Sequence, residues 1–303
     1  MPGMLDCAMR RIPAVILCLL GIIYCLPAHA QDGADQIIEH YEEAREYSLD
    51  LLNELRAENG LPSVRLEALS SELALRHARD MAENGYFSHW DREGRKPTRR
   101  YNLAGGMHGL GENILFSEYQ RGDWRSFIDE AMQALAESRG HRATMLDPSY
   151  TDVGLGLAVE GSRFYLVQEF ICRAGGDYSC PLKAYVGDVV NFSGRFDNNR
   201  YQLNYVVLRH EGLPETRESS WLNGTGSYSD GDTMFAVYTP HTDRRFNVDT
   251  YYDIRVDAQG RFDCNLLLDY KAKPGTYYAI LVLHDSQSGS EVKAAAVALE
   301  VLK

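Results

Sequence analysis

The amino-acid sequence predicts an α+β protein, with helices followed by strands in the N-terminal half and an all-β immunoglobulin-like sandwich in the C-terminal half. Two observations predict this fold class. Apolar residues recur at helical spacing in the first half, whereas beyond Cys180 short β-rich runs alternate with Gly, Asn, Asp and Pro. The chain of 303 residues, 45% of them hydrophobic, is long enough to form a core in each half.

The first thirty residues have the order of a secretory signal peptide. Arg10 and Arg11 precede an apolar run at 12–26, and small residues follow at Ala28 and Ala30. The run is shorter than the roughly 20 residues that span a bilayer, so we expect cleavage after Ala30 rather than a retained anchor. A secreted or periplasmic protein with no membrane span in the mature chain is therefore expected.

The formal charge of −12 excludes one class of partner. Loss of the signal peptide removes one net positive charge and leaves the mature chain more acidic still. Such a surface repels nucleic acid and anionic lipid headgroups, so no nucleic-acid partner is expected.

Three cysteines lie outside the signal peptide, namely Cys172, Cys180 and Cys264. An odd number in an oxidising compartment allows one disulfide and one free thiol. The glycine-containing loop between Cys172 and Cys180 can fold back on itself, which favours a bond between these two. The alternative is that all three stay reduced and buried.

Two amphipathic helices are predicted before residue 86. Apolar residues recur at near-helical spacing over 36–59, and Gly60 ends this first pattern. The second helix begins near Ser70 and Ser71, either of which can act as the N-cap, and Gly85 ends it.

A third helix and a hairpin complete the N-terminal half. Asp123 is a suitable N-cap for a helix that Gly140 ends. Two short runs on either side of Gly161 then predict an antiparallel hairpin. Roughly seven short strands follow in a β domain at 183–303, after a linker at 173–182. A barrel in place of the sandwich stays open at this point.

Three polar residues outside the helical patterns are candidate site residues. His89 follows two aromatic residues in GYFSHWD, and His141 follows a helix-ending glycine in SRGHRATMLDP. Glu112 follows two glycines in GLGENIL that are predicted to let the backbone turn tightly. Tyr86 and Phe87 are expected to anchor their loop and leave His89 facing outward, where a fixed imidazole can act as a ligand or proton carrier. A carboxylate at Glu112 must find hydrogen-bond partners or point into a cavity.

Four ordered segments resemble the successive signatures of the CAP superfamily, which contains cysteine-rich secretory proteins, insect antigen 5 and plant pathogenesis-related 1 proteins. The segments are HARDMAENGYFSHWD, GENIL, GHRATMLDPSYTDVGLGLA and YLVQEF, and they are similar to the bacterial SCP-like branch over roughly residues 45–172. The resemblance implies a CAP domain at 36–172 with a three-layer α-β-α sandwich fold. It also implies a central cavity with two histidines and one or two glutamates, which bind a divalent metal such as zinc in some members.

The resemblance assigns His89 and His141 as the cavity histidines and Glu112 as the glutamate. The chain departs from a four-ligand set, because Ser138 stands where eukaryotic members place a second glutamate and the adjacent Glu137 need not point inward. Two imidazoles and one carboxylate are the ligand types of an open zinc site in which water takes the fourth position. The alternative is a solvated polar cleft in which both histidines hydrogen-bond Glu112 without metal.

The preferred functional hypothesis is a secreted, non-catalytic module whose cleft binds a lipid, a small ligand or a cell-envelope polymer. The alternative is a metal-dependent extracellular peptidase in which His89 and His141 hold zinc and Glu112 acts as ligand or general base. The sequence contains no serine-nucleophile elbow, phosphate loop or H-E-x-x-H motif.

Other polar and aromatic residues have structural interpretations. His77 lies on the apolar row of its helix and is predicted to be a hydrogen-bonded core residue. The basic run at 92–100 is predicted to be a solvated loop, with contact to an anionic surface as the alternative. Trp221, Tyr228 and Tyr251 are expected in the core of the β domain, with a sugar-stacking surface as the alternative.

Overall fold

The computed structural model describes residues 37, 39–118, 123–240, 248 and 250–303. The predicted signal peptide and the side chain of Tyr251 lie outside this described part of the chain. An α+β region is followed by an all-β region, which confirms the predicted order of the two halves.

The N-terminal region has five helices and four strands among the described residues. They are α1 (Tyr41–Glu58), β1 (Arg65–Leu66), α2 (Ala68–Asn84), α3 (Pro97–Leu103), β2 (Gly109–Glu118), α4 (Trp124–Glu137), α5 (Arg139–Met145), β3 (Asp152–Glu160) and β4 (Arg163–Cys172). The strands form one sheet in the order β1-β3-β4-β2, so β2 is an edge strand. The predicted hairpin corresponds to β3 and β4, which pair antiparallel.

Helices cover both faces of this sheet. Leu166 of β4 belongs to the core that the sheet forms with α1, α4 and α5, which includes Leu52 and Ile128. Its neighbour Val167 belongs to a different core, formed with Met81 and other residues of α2. Successive residues of a strand point to opposite faces, so the two cores lie on opposite sides of the sheet and the region has three layers, α-β-α.

The helix ends confirm part of the prediction. Asp123 caps α4 by accepting hydrogen bonds from two backbone amides of the first turn, at 2.9 and 3.0 Å. Gly85 ends α2 in a left-handed conformation with φ of 66°. The predicted cap of α2 is wrong, because Glu67 accepts a hydrogen bond from the backbone amide of Ser70 at 2.6 Å and the helix begins before Ser70.

Three local predictions differ from the structure. Gly140 does not end α4, which stops at Glu137; Gly140 and His141 lie inside the short helix α5. The segment GLGENIL is part of the continuous strand β2 rather than a turn. Helix α3 was not predicted, because its residues are too polar to show an amphipathic pattern.

The C-terminal region has ten strands and one short helix among the described residues. They are β5 (Gly175–Ser179), β6 (Lys183–Tyr185), β7 (Val189–Phe196), β8 (Tyr201–Glu211), α6 (Ser219–Leu222), β9 (Thr233–Thr239), β10 (Thr250–Asp253), β11 (Arg255–Val256), β12 (Arg261–Leu267), β13 (Gly275–Asp285) and β14 (Glu291–Leu302). A six-stranded sheet has the order β10-β9-β8-β13-β14-β6, and a four-stranded sheet has the order β11-β12-β7-β5. The segment 173–182, predicted to be a linker, thus contributes β5.

The two sheets of the C-terminal region share one core. Phe192 and Phe262 of the four-stranded sheet belong to the same buried cluster as Val206 and Leu281 of the six-stranded sheet. This arrangement is a sandwich rather than a barrel. Two strand pairs at the edges, β9 with β10 and β6 with β14, are parallel.

The predicted disulfide between Cys172 and Cys180 is wrong. Both thiols and that of Cys264 are free and buried. Burial raises the pKa of each thiol to about 12, so all three stay protonated and unreactive in the folded protein.

The N-terminal region covers part of the edge of β14. Strand β6 pairs with β14 only at residues 300–302, so the preceding backbone groups need other partners. The side chain of Asn102 donates to the carbonyl of Ala296 at 2.9 Å and accepts from the amide of Ala298 at 2.7 Å. Arg99 donates to the Ala298 carbonyl at 2.8 Å. Helix α3 therefore satisfies backbone groups that an edge strand would leave open.

This contact corrects the prediction for the basic run at 92–100. Lys96, Arg99 and Arg100 are buried rather than solvated. Lys96 bonds the carboxylate of Glu211, and it also donates to a backbone carbonyl of the C-terminal region at 2.9 Å. The positively charged groups of these three residues therefore make contacts within the molecule instead of facing solvent.

Candidate functional site

His89 and Glu112 form the centre of the candidate site. The loop after α2 carries His89, and the edge strand β2 carries Glu112. Nδ1 of His89 and Oε1 of Glu112 are hydrogen-bonded at 2.8 Å. The side chain of Glu112 is fully buried and that of His89 is only 12% exposed. The prediction that His89 faces outward is therefore wrong.

Arg100 supplies the positive charge of the site. Its Nη2 donates to Oε2 of Glu112 at 2.5 Å, and its Nη1 donates to the carbonyl of His89 at 2.7 Å. Burial raises the pKa of Glu112, but the Arg100 guanidinium and the hydrogen bond from His89 outweigh burial and hold this pKa below its usual value. Glu112 is therefore an ionised carboxylate with a charged hydrogen-bond partner.

Glu169 is a second carboxyl group beside this pair, and it was not predicted. It lies on β4 directly opposite Glu112 and is fully buried. Neither oxygen has a hydrogen-bond partner within the described residues, and Oε1 lies 3.9 Å from Nη2 of Arg100. Burial, and then the charge of Glu112, raise the pKa of Glu169 well above its usual value. A glutamate inside the apolar run RFYLVQEFI was the signal that the sequence offered.

One guanidinium thus faces two carboxyl groups. A single positive charge cannot compensate two buried negative charges, so the pair Glu112 and Glu169 keeps one proton between them. The pKa of Glu169 is raised and that of Glu112 is lowered, so the proton resides on Glu169.

His141 does not join this cluster. Its backbone carbonyl accepts a hydrogen bond from Asn113 at 3.1 Å, and Asn113 points to the opposite face of β2 from Glu112. Burial, and then the charge of His89, lower the pKa of His141. The described residues show no hydrogen bond from the His141 ring to His89 or Glu112.

The carboxylate of Glu112 is shared between two partners in this arrangement. One oxygen is hydrogen-bonded to His89, and the other accepts a hydrogen bond from Arg100. Across the part of the chain that the structure describes, no group of three or more His, Cys, Asp or Glu side chains has the geometry to hold a metal ion. Metal binding at this site stays a prediction.

The C-terminal region contributes one wall of the site. Tyr228, in the connection between β8 and β9, lies against His89 with the ring centroids 4.7 Å apart. Burial raises the pKa of Tyr228 well above its usual value, so its hydroxyl stays protonated. The two residues are too far apart in sequence for any local pattern to have revealed the contact.

His77 is a core histidine, as predicted. It is buried, and its Nε2 is hydrogen-bonded to the carbonyl of Ser88 at 2.8 Å. Burial lowers the pKa of His77 to about 3, so the ring is neutral at physiological pH and Nε2 can donate this bond. Because Ser88 immediately precedes His89, His77 holds the loop that presents the site histidine.

The fold and the site define a three-layer α-β-α domain with a buried polar cluster beside its edge strand. Residues 49–170 match the family described as CAP, the cysteine-rich secretory protein family. This part of the chain is a CAP domain, which confirms the resemblance seen in the sequence, and the C-terminal β region is additional to it.

Two Bacillus subtilis proteins are similar to the chain. The uncharacterized membrane protein YlbC is 33% identical over 128 residues, which cover 41% of this chain and 33% of that protein. The uncharacterized protein YkwD is 27% identical over 124 residues, which cover 41% of this chain and 45% of that protein. The chain thus spans less than half the length of either relative.

Three solved structures align with parts of the chain. An extracellular SCP-domain protein of Bacillus anthracis is 28% identical, covers 43% of this chain and 41% of its own, and has a TM-score of 0.36. An outer surface protein of Borrelia burgdorferi is 14% identical, with coverage of 43% and 92% and a TM-score of 0.38. Murine CRIg is 12% identical, with coverage of 42% and 97% and a TM-score of 0.23.

Within the described residues, no helix is both long enough and apolar enough to cross a membrane.

Proposed function

We propose that this chain is a secreted, non-catalytic module whose CAP cleft binds a small ligand. The observation that supports this most directly is the position of the Arg100 guanidinium, which holds one oxygen of Glu112 while His89 holds the other. A general base or metal ligand needs a basic carboxylate. Both hydrogen bonds stabilise the ionised form of Glu112 and hold its pKa below the usual value, so it is a weak base in this arrangement.

The lining of the cleft favours a small organic ligand or a lipid over an anionic cell-envelope polymer. Lys96, Arg99 and Arg100 are buried in contacts within the chain, so the densest basic run does not present a cationic surface. Tyr228 borders the site instead, with its ring against the imidazole of His89. Aromatic faces with a few polar groups are typical of small-ligand sites.

We further infer that the β region is an immunoglobulin-like sandwich that positions the CAP domain outside the cytoplasm. The shared core of its two sheets supports the sandwich, and the predicted signal peptide supports export. The extracellular SCP-domain protein of Bacillus anthracis supports the same location.

A metal-dependent peptidase is the second candidate. The 2.8 Å hydrogen bond between His89 and Glu112 supports it, because a carboxylate that orients an imidazole is a common feature of metal and hydrolytic sites. A role of Glu112 as general base would require Arg100 to move away, because the guanidinium lowers the pKa of this carboxyl group.

Metal analysis of the mature protein separates the two candidates. We expect protein purified without chelators to contain far less than one zinc ion per chain by plasma mass spectrometry and to leave peptide substrates intact. Stoichiometric zinc that is lost in H89A, together with peptide hydrolysis that is lost in folded H141A, would refute the proposal. H108A is the matched control, because His108 is a half-buried histidine that contacts Tyr178 and Arg173 rather than the cleft.

A further inference from the structure

The connection between β8 and β9 is far longer than the pairing of these strands requires. The strands are antiparallel, and the amide of Asp232 still bonds the carbonyl of His210 at 3.0 Å, so a turn of about two to five residues would join them. Residues 212–229 instead leave the sheet and extend over the CAP domain; we call this segment the arm. Connections of this length in compact domains are usually functional.

The arm lies along the segment that leads into the site, residues 84–92. The two segments are joined by four hydrogen bonds: Ser219 Oγ to Asn84 O at 3.1 Å, Phe87 N to Asn223 Oδ1 at 2.8 Å, Ser88 Oγ with Thr225 Oγ1 at 2.7 Å, and Arg217 N to Arg92 O at 2.7 Å.

Apolar and aromatic contacts follow the same path. Trp221 packs edge-on against Trp90 with centroids 6.0 Å apart, and Tyr228 covers His89. Leu222 is fully buried in the core beside α2. The arm therefore covers the loop that carries His89 and lies against the imidazole of that residue.

We propose that the arm is a lid over the CAP cleft, which opens to expose His89 while the two regions of the protein stay attached. The ligand-gating role of this lid rests on the proposed binding function, whereas the motion itself does not. In the closed state the lid places Tyr228 on His89 and excludes ligand.

The distribution of burial supports independent movement of the arm. Leu222 is its one buried residue, and most of its other residues are exposed. The arm forms no strand pairing with the CAP domain, so its attachment is the local kind that opens before a whole domain does.

The contact between α3 and β14 provides a second, separate attachment. There the hydrogen bonds from Arg99 and Asn102 to β14 are buried and engage the backbone of a sheet. Cys172 lies at this junction of the two regions, in the core of the C-terminal sandwich. Opening of the arm leaves these contacts intact.

A cysteine placed under the arm measures its opening. Ser88 is 2% exposed and is covered by Thr225, so we expect the thiol of S88C in the full mature chain to react with a thiol reagent only when the arm lifts. The native thiols of Cys172, Cys180 and Cys264 are the internal control, because they react only when the domains separate or unfold. We expect the S88C thiol to react at least roughly tenfold faster than these three, because local opening of the arm requires less free energy than separation or unfolding of the domains.

The variant L222A tests whether the arm is what protects that thiol. Loss of the buried leucine side chain is expected to raise the S88C labelling rate by roughly tenfold without changing the native thiols. The lid is refuted if the S88C thiol reacts no faster than the native ones, or if L222A leaves its rate unchanged. Labelling requires no ligand or metal, so these outcomes are independent of the test of the proposed function.

Discussion

Replacing Arg100 with methionine is expected to lower the free energy of unfolding by about 3–5 kcal/mol. Methionine keeps much of the volume but removes the one guanidinium that faces the buried carboxyl groups of Glu112 and Glu169. It also leaves the carbonyl of His89 without its hydrogen-bond donor. Urea denaturation of the mature protein, followed by tryptophan fluorescence, measures the loss.

Two further variants separate charge compensation from general damage. R195M is the matched control, because Arg195 forms an ion pair with Asp177 in which both side chains are more than half exposed; its loss is expected to cost less than about 1 kcal/mol. The double variant R100M/E112Q is expected to recover part of the stability lost in R100M, since it no longer buries an unpaired carboxylate. An R100M protein within 1 kcal/mol of wild type would contradict this account of the site.

Replacing Glu169 with glutamine is expected to change how stability depends on pH. The raised pKa of Glu169 means that the folded protein keeps a proton that the unfolded chain releases near the ordinary glutamate pKa of 4.5. Its contribution to stability is therefore full below that value and is lost as the pH rises toward the folded pKa. Glutamine has no proton to release, so we expect the stability of E169Q relative to wild type to increase by about 1.4 kcal/mol per pH unit above pH 5.

The variant E112Q provides a control with the opposite sign. The lowered pKa of Glu112 contributes stability that is present above the unfolded pKa and is lost as the pH falls through the folded pKa. E112Q is therefore expected to be less stable than wild type at pH 7 and to approach it in acid. Urea midpoints between pH 4 and 8 give both curves, and parallel curves for E169Q and wild type would show that Glu169 does not hold the proton.

The spacing of apolar residues in the sequence predicted those helices and strands in which buried residues recur at a regular interval. The α1, α2 and α4 patterns, the Asp123 cap and the β3–β4 hairpin are all set by neighbours within a few residues. Helix α3 escaped prediction for a physical reason: Arg99 and Asn102 are polar yet buried, because they face β14 rather than solvent. Hydrophobic periodicity assumes that polar side chains point to water, and this helix breaks that assumption.

The candidate site was predicted only in part. Motif matching located His89 and Glu112, which the structure brings into contact at 2.8 Å. It did not reveal Arg100, Glu169 or Tyr228, because these depend respectively on helix packing against β2, on sheet register and on a contact with the C-terminal region. Two predictions of exposure, for the basic run at 92–100 and for His89, were wrong for the same reason. The C-terminal region covers both.

The way in which α3 covers β14 determines where the chain can be divided. A fragment that begins near residue 181 would keep the alanine-rich strand at 294–298 but lose Asn102 and Arg99. The exposed row of amides and carbonyls would then act as a template on which another molecule could add a strand, and small side chains offer little steric protection against such self-association. Separating the two regions would therefore expose a strand edge that promotes self-association. The two regions are best produced and studied as one chain.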